Sequence, residues 1–317
     1  MKSGYLFINK PKDWTSFDVV KKVRNILKIK KIGHIGTLDP FATGLLILLI
    51  NKATRISEYI TNYDKEYIAQ GRFGLATDSG DITGKITQEK NHPPITKAQF
   101  EKLIPEILNI TSQIPSKFSA IKIQGQKAYQ KARQGADFQM PERTIQIKEF
   151  ELLDFDFPDF TYRAVVSKGT YIRTLTEQIA DLFGYIATTI NLHRTKIDDF
   201  NVCNSMTIEQ IINEQDLHVQ EDYDILLPHI KKINISTEEK KKFLTGEGII
   251  KNNLSSLPSI SNPMEVMTTS NEEVTNNTPK SLTRIYHNQS FLGIGFFIYN
   301  PSLNMYSIKP EKVLYSE

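Results

Sequence analysis

The chain has a single cysteine, Cys203, in 317 residues. That excludes an intrachain disulfide and a zinc site made of cysteines alone. A lone cysteine with no activating neighbour reads as a small buried hydrophobe rather than a nucleophile. Long apolar runs are also missing. No stretch approaches the roughly 20 residues that a membrane span needs, and the opening segment Met1 to Lys10 carries an apolar run too short for the core of a signal peptide. The chain therefore reads as a cytoplasmic protein. Neither a Walker nor a Rossmann glycine signature occurs, and no internal repeat stands out. What is present is ordinary for a globular protein: 39% hydrophobic and 24% charged residues, in a chain long enough for one large domain and a small one.

Charge is unevenly spread. Residues 1–55 hold eleven Lys or Arg against three Asp, so the overall +3 resolves into +8 there and −5 over the remainder. A second basic stretch runs through Lys117, Lys122, Lys127, Lys131, Arg133, Arg143 and Lys148, with Asp137 and Glu142 as its only acids. Clustered positive charge suits a phosphate backbone and gives salt-sensitive binding, although a solvated lysine-rich face fits each stretch taken alone equally well.

Helix and strand patterns alternate irregularly, as in an α+β architecture with a mixed β-sheet. Strands are expected at Tyr5–Asn9, Leu45–Ile50, Lys65–Phe73 and Ile186–Leu192. A pair is expected at Arg143–Phe157 and Phe160–Ser167 around a Pro-Asp turn. Helices are expected after Ser16 as cap, with Val19, Val20, Val23, Ile26 and Leu27 on one face, over Thr96–Leu108 with Thr96 as cap, and over Thr170–Leu182 with Thr170 as cap. Composition shifts near 235. Residues 252–281 are rich in Asn, Ser, Thr and Pro and read as a flexible polar loop, after which Leu292–Ile298 and Tyr306–Pro310 read as strands of a small β domain. The boundaries are thus 1–235 and 236–317.

The most informative stretch is Gly33-His34-Ile35-Gly36-Thr37-Leu38-Asp39-Pro40-Phe41-Ala42-Thr43-Gly44-Leu45-Leu46. It places one carboxylate on a glycine-rich loop. Pro40 biases Asp39 toward extended backbone and keeps it out of a helix. A carboxylate so presented can serve as a nucleophile or general base, and an Asp-Pro turn before a buried strand is the plain structural alternative.

The whole phrase resembles the signature of the TruB family of tRNA pseudouridine synthases. Further segments resemble the family in the same order: Asn9-Lys10-Pro11-Lys12-Asp13-Trp14-Thr15-Ser16, with Asn9 in place of the usual Asp; Asp64-Lys65-Glu66-Tyr67; Gly74 to Gly84; Ser119 to Gly135; Ser167-Lys168-Gly169-Thr170-Tyr171-Ile172-Arg173; and Asn191-Leu192-His193-Arg194-Thr195. The resemblance covers about residues 4 to 235. It implies a pseudouridine synthase catalytic domain with a mixed β-sheet, in which residues 116–148 form an RNA-gripping insertion. The weaker C-terminal match implies a divergent, β-rich PUA-like RNA-binding domain.

The activity implied is isomerisation of uridine 55 in the T loop of tRNA, with the target base flipped from the folded RNA. Asp39 is then the catalytic group that starts breaking the glycosidic bond, by attack on base or sugar or by taking a sugar proton. Arg173 pairs with it. Tyr67 stacks on the base and helps remove the C5 proton, Tyr171 and Leu192 hold the ring, and His34 enters the T loop where the uridine was. Lys10 orders the loop or meets phosphate, and His193 or Arg194 faces the RNA. Lys122, Lys127 and Arg133 bind backbone phosphates, which positions RNA without reading sequence. Asp78 and Asp81 are expected to bond backbone donors in a turn near the site. No cofactor or metal is implied. The T arm of tRNA is the partner, no protein partner or membrane is needed, and the chain reads as a monomer. Two other readings stay open: a synthase working in a guide-RNA complex, and a non-catalytic RNA-folding protein.

Overall fold

The computed structural model describes residues 3–119, 121–123, 125–134, 136, 138–213, 219–251, 280–300 and 305–315. The expected polar loop therefore lies outside the described residues, apart from Lys280 and Ser281, which begin a strand. The chain divides into two compact units. One comprises Leu6–Leu49 and Thr61–His218; the other comprises Met1–Tyr5, Ile50–Ile60 and Val219–Glu317. Among the described residues no helix is long and apolar enough to cross a membrane.

The first unit is built on a mixed sheet. Its strands run in the order Gly4–Lys10, Thr43–Ile50, Ala187–Ile197, Lys65–Phe73, Asp159–Val166, Ile147–Asp156. The pair Ala187–Ile197 and Thr43–Ile50 is parallel, and the next three pairs are antiparallel. Strands Lys65–Phe73 and Asp159–Val166 alternate buried and part-exposed side chains, as strands with one face on a core must. Thr43–Ile50 is buried at every position from Gly44 onward, which is why it reads as an unbroken apolar run rather than an alternation. Under the sheet Phe73, Phe100 and Phe160 pack as tilted rings within one cluster, with ring centroids 4.5 Å apart for Phe73 and Phe160 and 5.3 Å for Phe100 and Phe160. Helix Ile172–Asp181 adds Ile172, Leu175, Ile179 and Ala180 to that cluster, the spacing of one helical face.

Several local expectations shift. The first helix, Ser16–Leu27, is capped by Thr15 rather than Ser16. Thr15 and Asp18 form a reciprocal capping box, which frees Ser16 for another task. Thr96 does cap its helix, with Gln99 completing the box, but the expected single helix is two, Lys97–Glu101 and Ile104–Leu108, with Pro105 in the first turn of the second. Proline offers no N–H to a preceding turn and is tolerated where a helix starts. Thr170 is no cap: the helix begins at Ile172, and Tyr171 stands at the cap position with no side-chain bond. Arg143–Thr144 leaves the long strand to pair with Ser112–Gln113. Cys203 is exposed, not buried.

The second unit holds a five-stranded sheet in the order Lys231–Asn234, Lys280–His287, Ser290–Asn300, Met305–Val313, Ile249–Lys251. Helix Thr237–Thr245 is capped by Ser236 and Glu239 and ends at Gly246 in the left-handed region, where glycine carries no Cβ penalty. Its Phe243 joins Ile233, Ile285, Leu292, Phe297 and Ile308 in a separate core. The C-terminal segment of the unit begins at Val219, ahead of the composition change near 235.

Candidate active site

Asp39 stands on the loop between strands Ile32–Ile35 and Thr43–Ile50, and that loop is fixed from several directions. Ser16 exchanges two hydrogen bonds with Leu38: the Leu38 N–H donates to Ser16 Oγ at 2.9 Å, and Ser16 Oγ donates to the Leu38 carbonyl at 3.3 Å. Lys10 is fully buried. Its ammonium donates to the carbonyls of Pro11 (2.9 Å), Trp14 (2.6 Å) and Pro40 (3.0 Å). Three donors are thus spent on three acceptors, and burial pushes its pKa down to about 8, with Asp39 opposing. Lys10 therefore orders the loop. The expected contact with substrate phosphate is not what this geometry provides, because no proton of the ammonium is left for it.

Arg173 meets Asp39 from the start of helix Ile172–Asp181. Its Nη2 donates to Asp39 Oδ1 at 3.1 Å, and its Nε stands 2.9 Å from Oδ2. The guanidinium is 4% exposed and serves other acceptors too. Nη1 donates to the Ser79 carbonyl at 2.5 Å and lies 3.3 Å from Asp81 Oδ2, while Nη2 also reaches the Phe118 carbonyl at 3.3 Å. Asp81 is buried in the Gly74–Gly84 turn. Its Oδ1 accepts from the Thr83 N–H at 3.0 Å and from Thr83 Oγ1 at 2.5 Å, and Asp78 Oδ1 accepts from the Lys85 N–H at 2.9 Å. Both Asp residues thus bond backbone donors, as the sequence suggests. The second task of Asp81, sharing Arg173 with Asp39, is one that sequence reading misses, since a motif fixes spacing but not the direction of a carboxylate.

The electrostatic balance at Asp39 is informative. The side chain keeps 34% of its surface accessible, yet burial of its surroundings pushes its pKa up from the ordinary carboxylate value. Arg173 opposes the rise, and Asp81 adds to it. A like charge beyond the arginine keeps Arg173 from neutralising Asp39 completely. Behind Arg173, burial also raises the Glu177 carboxyl to about 7, again against Arg173 and helped by Asp181.

Asp39, Tyr67, Tyr171 and Leu192 line one cavity of about 450 Å³. Tyr67 comes from strand Lys65–Phe73, in register with Arg194 on one neighbour and Ala164 on the other. Tyr171 is held through its backbone by Gln113, which accepts from the Tyr171 N–H at 2.9 Å and donates Nε2 to its carbonyl at 3.3 Å. Burial raises the Tyr171 hydroxyl pKa, with Ser119 opposing. Leu192 is 4% exposed. Lys65, Arg143, Lys168 and Arg194 complete the charged lining. Lys65 is buried and donates to the carbonyls of Thr61 and Tyr63, and burial pushes it down to about 8, with Arg194 adding to the fall.

Of the remaining expected residues, the two histidines lie outside the cavity lining. His34 is on strand Ile32–Ile35, its Nε2 3.1 Å from Thr37 Oγ1, and it does not line the cavity. His193 Nδ1 lies 2.7 Å from Thr43 Oγ1. Arg194, with His193 one of two candidates to face the RNA, is 1% exposed and lines the cavity from the protein side. The backbone of the insertion forms a ribbon, Lys122–Ile123 with Gln126–Lys127, then helix Ala128–Arg133. The side chains of Lys122, Lys127 and Arg133 lie outside the described residues.

One carboxylate held by a buried arginine thus shares a cavity with two tyrosines, one of them on an interior strand of the mixed sheet of an α+β unit. Solved structures share this fold. A Cbf5-Nop10-Gar1 complex superposes with a TM-score of 0.70 at 20% identity, over 98% of this chain and 85% of that one. The archaeal box H/ACA sRNP Nop10-Cbf5 complex gives 0.67 at 20% identity, over 98% and 86%. Residues 24–172 match the model of the TruB family pseudouridylate synthase N-terminal domain. The tRNA pseudouridine synthase B of Opitutus terrae is 40% identical over 208 residues, 66% of this chain and 86% of the relative. That of Hydrogenovibrio crunogenus is 37% identical over 243 residues, 77% and 80%, and that of Ureaplasma urealyticum is 40% identical over 214 residues, 67% and 93%. The chain belongs to the TruB family of pseudouridylate synthases.

Proposed function

We propose that this protein isomerises uridine to pseudouridine in tRNA, at position 55 of the T loop. The curated relatives, which carry the name tRNA pseudouridine synthase B, support the substrate class. The observation that carries the chemistry is that Asp39 is the one carboxylate among the described residues lining the cavity, and that Arg173 holds it from the protein side.

The target uridine must leave the RNA stack to reach that carboxylate, at a cost of roughly a few kcal/mol. Tyr67, Tyr171 and Leu192 offset it by burying the flipped ring. Asp39 starts the cleavage of the bond between N1 and the sugar C1′. The detached base stays enclosed, turns, and bonds to C1′ through C5. The C5 proton leaves and N1 ends protonated, so product and substrate have the same composition and no cofactor enters the balance. Tyr67 is the group that assists loss of the C5 proton. Tyr67→Phe keeps the ring and loses the hydroxyl, so it is expected to slow single-turnover conversion about 10²-fold with RNA affinity retained.

The first unit is the catalytic domain, with residues 116–148 gripping RNA, and the β-rich second unit is a PUA-like RNA-binding module. The chain works as a monomer in the cytoplasm and needs no protein partner. At the cavity rim Arg143 and Lys168 are exposed. Lys168 donates to the neutral Asn62 Oδ1 at 2.5 Å. These two cations suit the phosphates flanking the flipped nucleotide. Each change to Gln is expected to reduce the slope of log affinity against log salt by about 0.7 and to leave the rate at saturating enzyme unchanged. Filter binding between 50 and 300 mM salt reads the slope.

The primary test is tritium release from a T-arm stem-loop carrying 5-tritiated uridine. Release by the protein alone is expected. Tight binding without release would overturn the reading in favour of an RNA-folding protein, and release only on addition of a guide RNA would favour a guided synthase.

A further inference from the structure

Arg194 is among the largest fully buried side chains of the protein, at 1% exposure. Among the described residues no carboxylate forms an ion pair with it. A buried guanidinium without an acid is costly to desolvate, so its position calls for a reason. Its donors go to backbone: Nε to the Leu45 carbonyl at 2.7 Å and Nη2 to the Gly36 carbonyl at 2.7 Å. Gly36 lies three residues before Asp39, and Leu45 six residues after it. One planar group therefore holds both ends of the segment that carries the carboxylate.

The glycines of that segment fit the same account. Arg194 pairs with Gly44 in the parallel register, and a Cβ on Gly44 would lie 2.2 Å from the Arg194 carbonyl oxygen. A Cβ on Gly36 would lie 3.0 Å from Arg194 Nη1. Both glycines also have positive φ, +68° at Gly36 and +107° at Gly44, which disfavours side chains. The loop is thus shaped to close around this arginine, backbone against one glycine and guanidinium against the other. The charge of Arg194 also helps lower the pKa values of Lys10 and Lys65.

We propose that Arg194 is a positioning residue for the reaction: by gripping Gly36 and Leu45 together it sets where Asp39 stands against Arg173 and the bound base, and it acts on the chemical step rather than on RNA affinity. The proposal rests on the reading of Asp39 as the group that starts the reaction. A misplacement of about 1 Å costs about 10²-fold in rate, and that is the scale expected here. Lysine keeps the charge but lacks the planar fork that serves two carbonyls at once, so Arg194→Lys is informative beside Arg194→Gln.

The test measures three quantities on the full chain: single-turnover tritium release from the 5-tritiated T-arm stem-loop at saturating enzyme, RNA dissociation constant, and melting temperature. Both variants are expected to release tritium about 10²-fold more slowly, with the dissociation constant within about threefold of wild type. Should neither fold, Gly36→Ala perturbs the same contact from the loop side and is expected to give the same split. Unchanged rate per bound RNA with a lowered melting temperature would overturn the proposal and leave Arg194 as a core residue. Lost affinity with retained rate at saturation would overturn it in favour of an RNA contact. Failure of wild type to release tritium would overturn the functional reading, and this proposal with it, and differs from both by the wild-type arm.

Discussion

Asp39→Asn is expected to abolish tritium release, by about 10⁴-fold or more, in a protein that still folds and binds the T arm. The amide keeps the shape of the carboxylate and an acceptor for Arg173 Nη2, which donates to Asp39 Oδ1 at 3.1 Å, but it offers no anion. The same substitution is expected to leave the protein at least as heat-stable as wild type at neutral pH. The sign follows from the direction of the pKa. Burial, with Asp81 adding to it, outweighs Arg173 and raises the Asp39 pKa above its ordinary value. A carboxyl whose folded pKa is raised contributes stability while protonated, below its unfolded pKa, and loses that contribution as pH rises through the folded value. The melting temperature of the variant relative to wild type should therefore climb from acidic to neutral pH across that window. The wild-type rate should climb over the same range, because the anion is the reactive form. Melting curves and single-turnover rates at matched pH values check both. A variant that melts well below wild type at neutral pH would mean that Asp39 serves the fold.

How far such a site is legible in a sequence depends on what each residue must reveal. Asp39, Tyr67, Tyr171 and Leu192 sit in separate motifs, and they share one cavity because strands Lys65–Phe73 and Ala187–Ile197 pair directly beside the loop. Motif order was enough to name them. Lys10 and Arg194 show where it was not. The motifs leave Lys10 open between ordering the loop and meeting phosphate, and leave His193 and Arg194 both open as RNA-facing; in the structure Lys10 and Arg194 are buried and spend their donors on carbonyls. Nothing in a one-dimensional pattern records which acceptors a loop leaves over. The caps at Thr15 and Tyr171 were displaced by one residue for a similar reason. The contacts that decide them, Ser16 with Leu38 and Gln113 with the Tyr171 backbone, come from residues far along the chain. The second unit was legible only as two strands. Its sheet is completed by Lys280–His287, Lys231–Asn234 and Ile249–Lys251, the last two of them short, from either side of the polar tract.

Arg173 is where fold and chemistry are coupled most tightly, so its substitutions should separate the two. Arg173→Lys keeps a positive charge but cannot serve Asp39, Asp81 and the carbonyls of Ser79 and Phe118 together, since its ammonium is a single point with three donors. The rate is expected to fall about 10²–10³-fold, the scale of losing one oriented charge-bearing donor, with RNA affinity little changed because Arg173 does not line the cavity. Arg173→Met goes further. It leaves the buried Asp81, 4% exposed, without its cation, and removing one partner of a buried pair costs about 3–5 kcal/mol. That variant is expected to lose stability in urea melts as well as activity. Adding Asp39→Asn to Arg173→Lys tests whether the two act as one unit. If Arg173 works on the reaction only through Asp39, the double variant is no slower than Asp39→Asn alone. A further drop in the double variant would show that Arg173 also acts on the reacting base directly, a role its place behind the carboxylate does not provide.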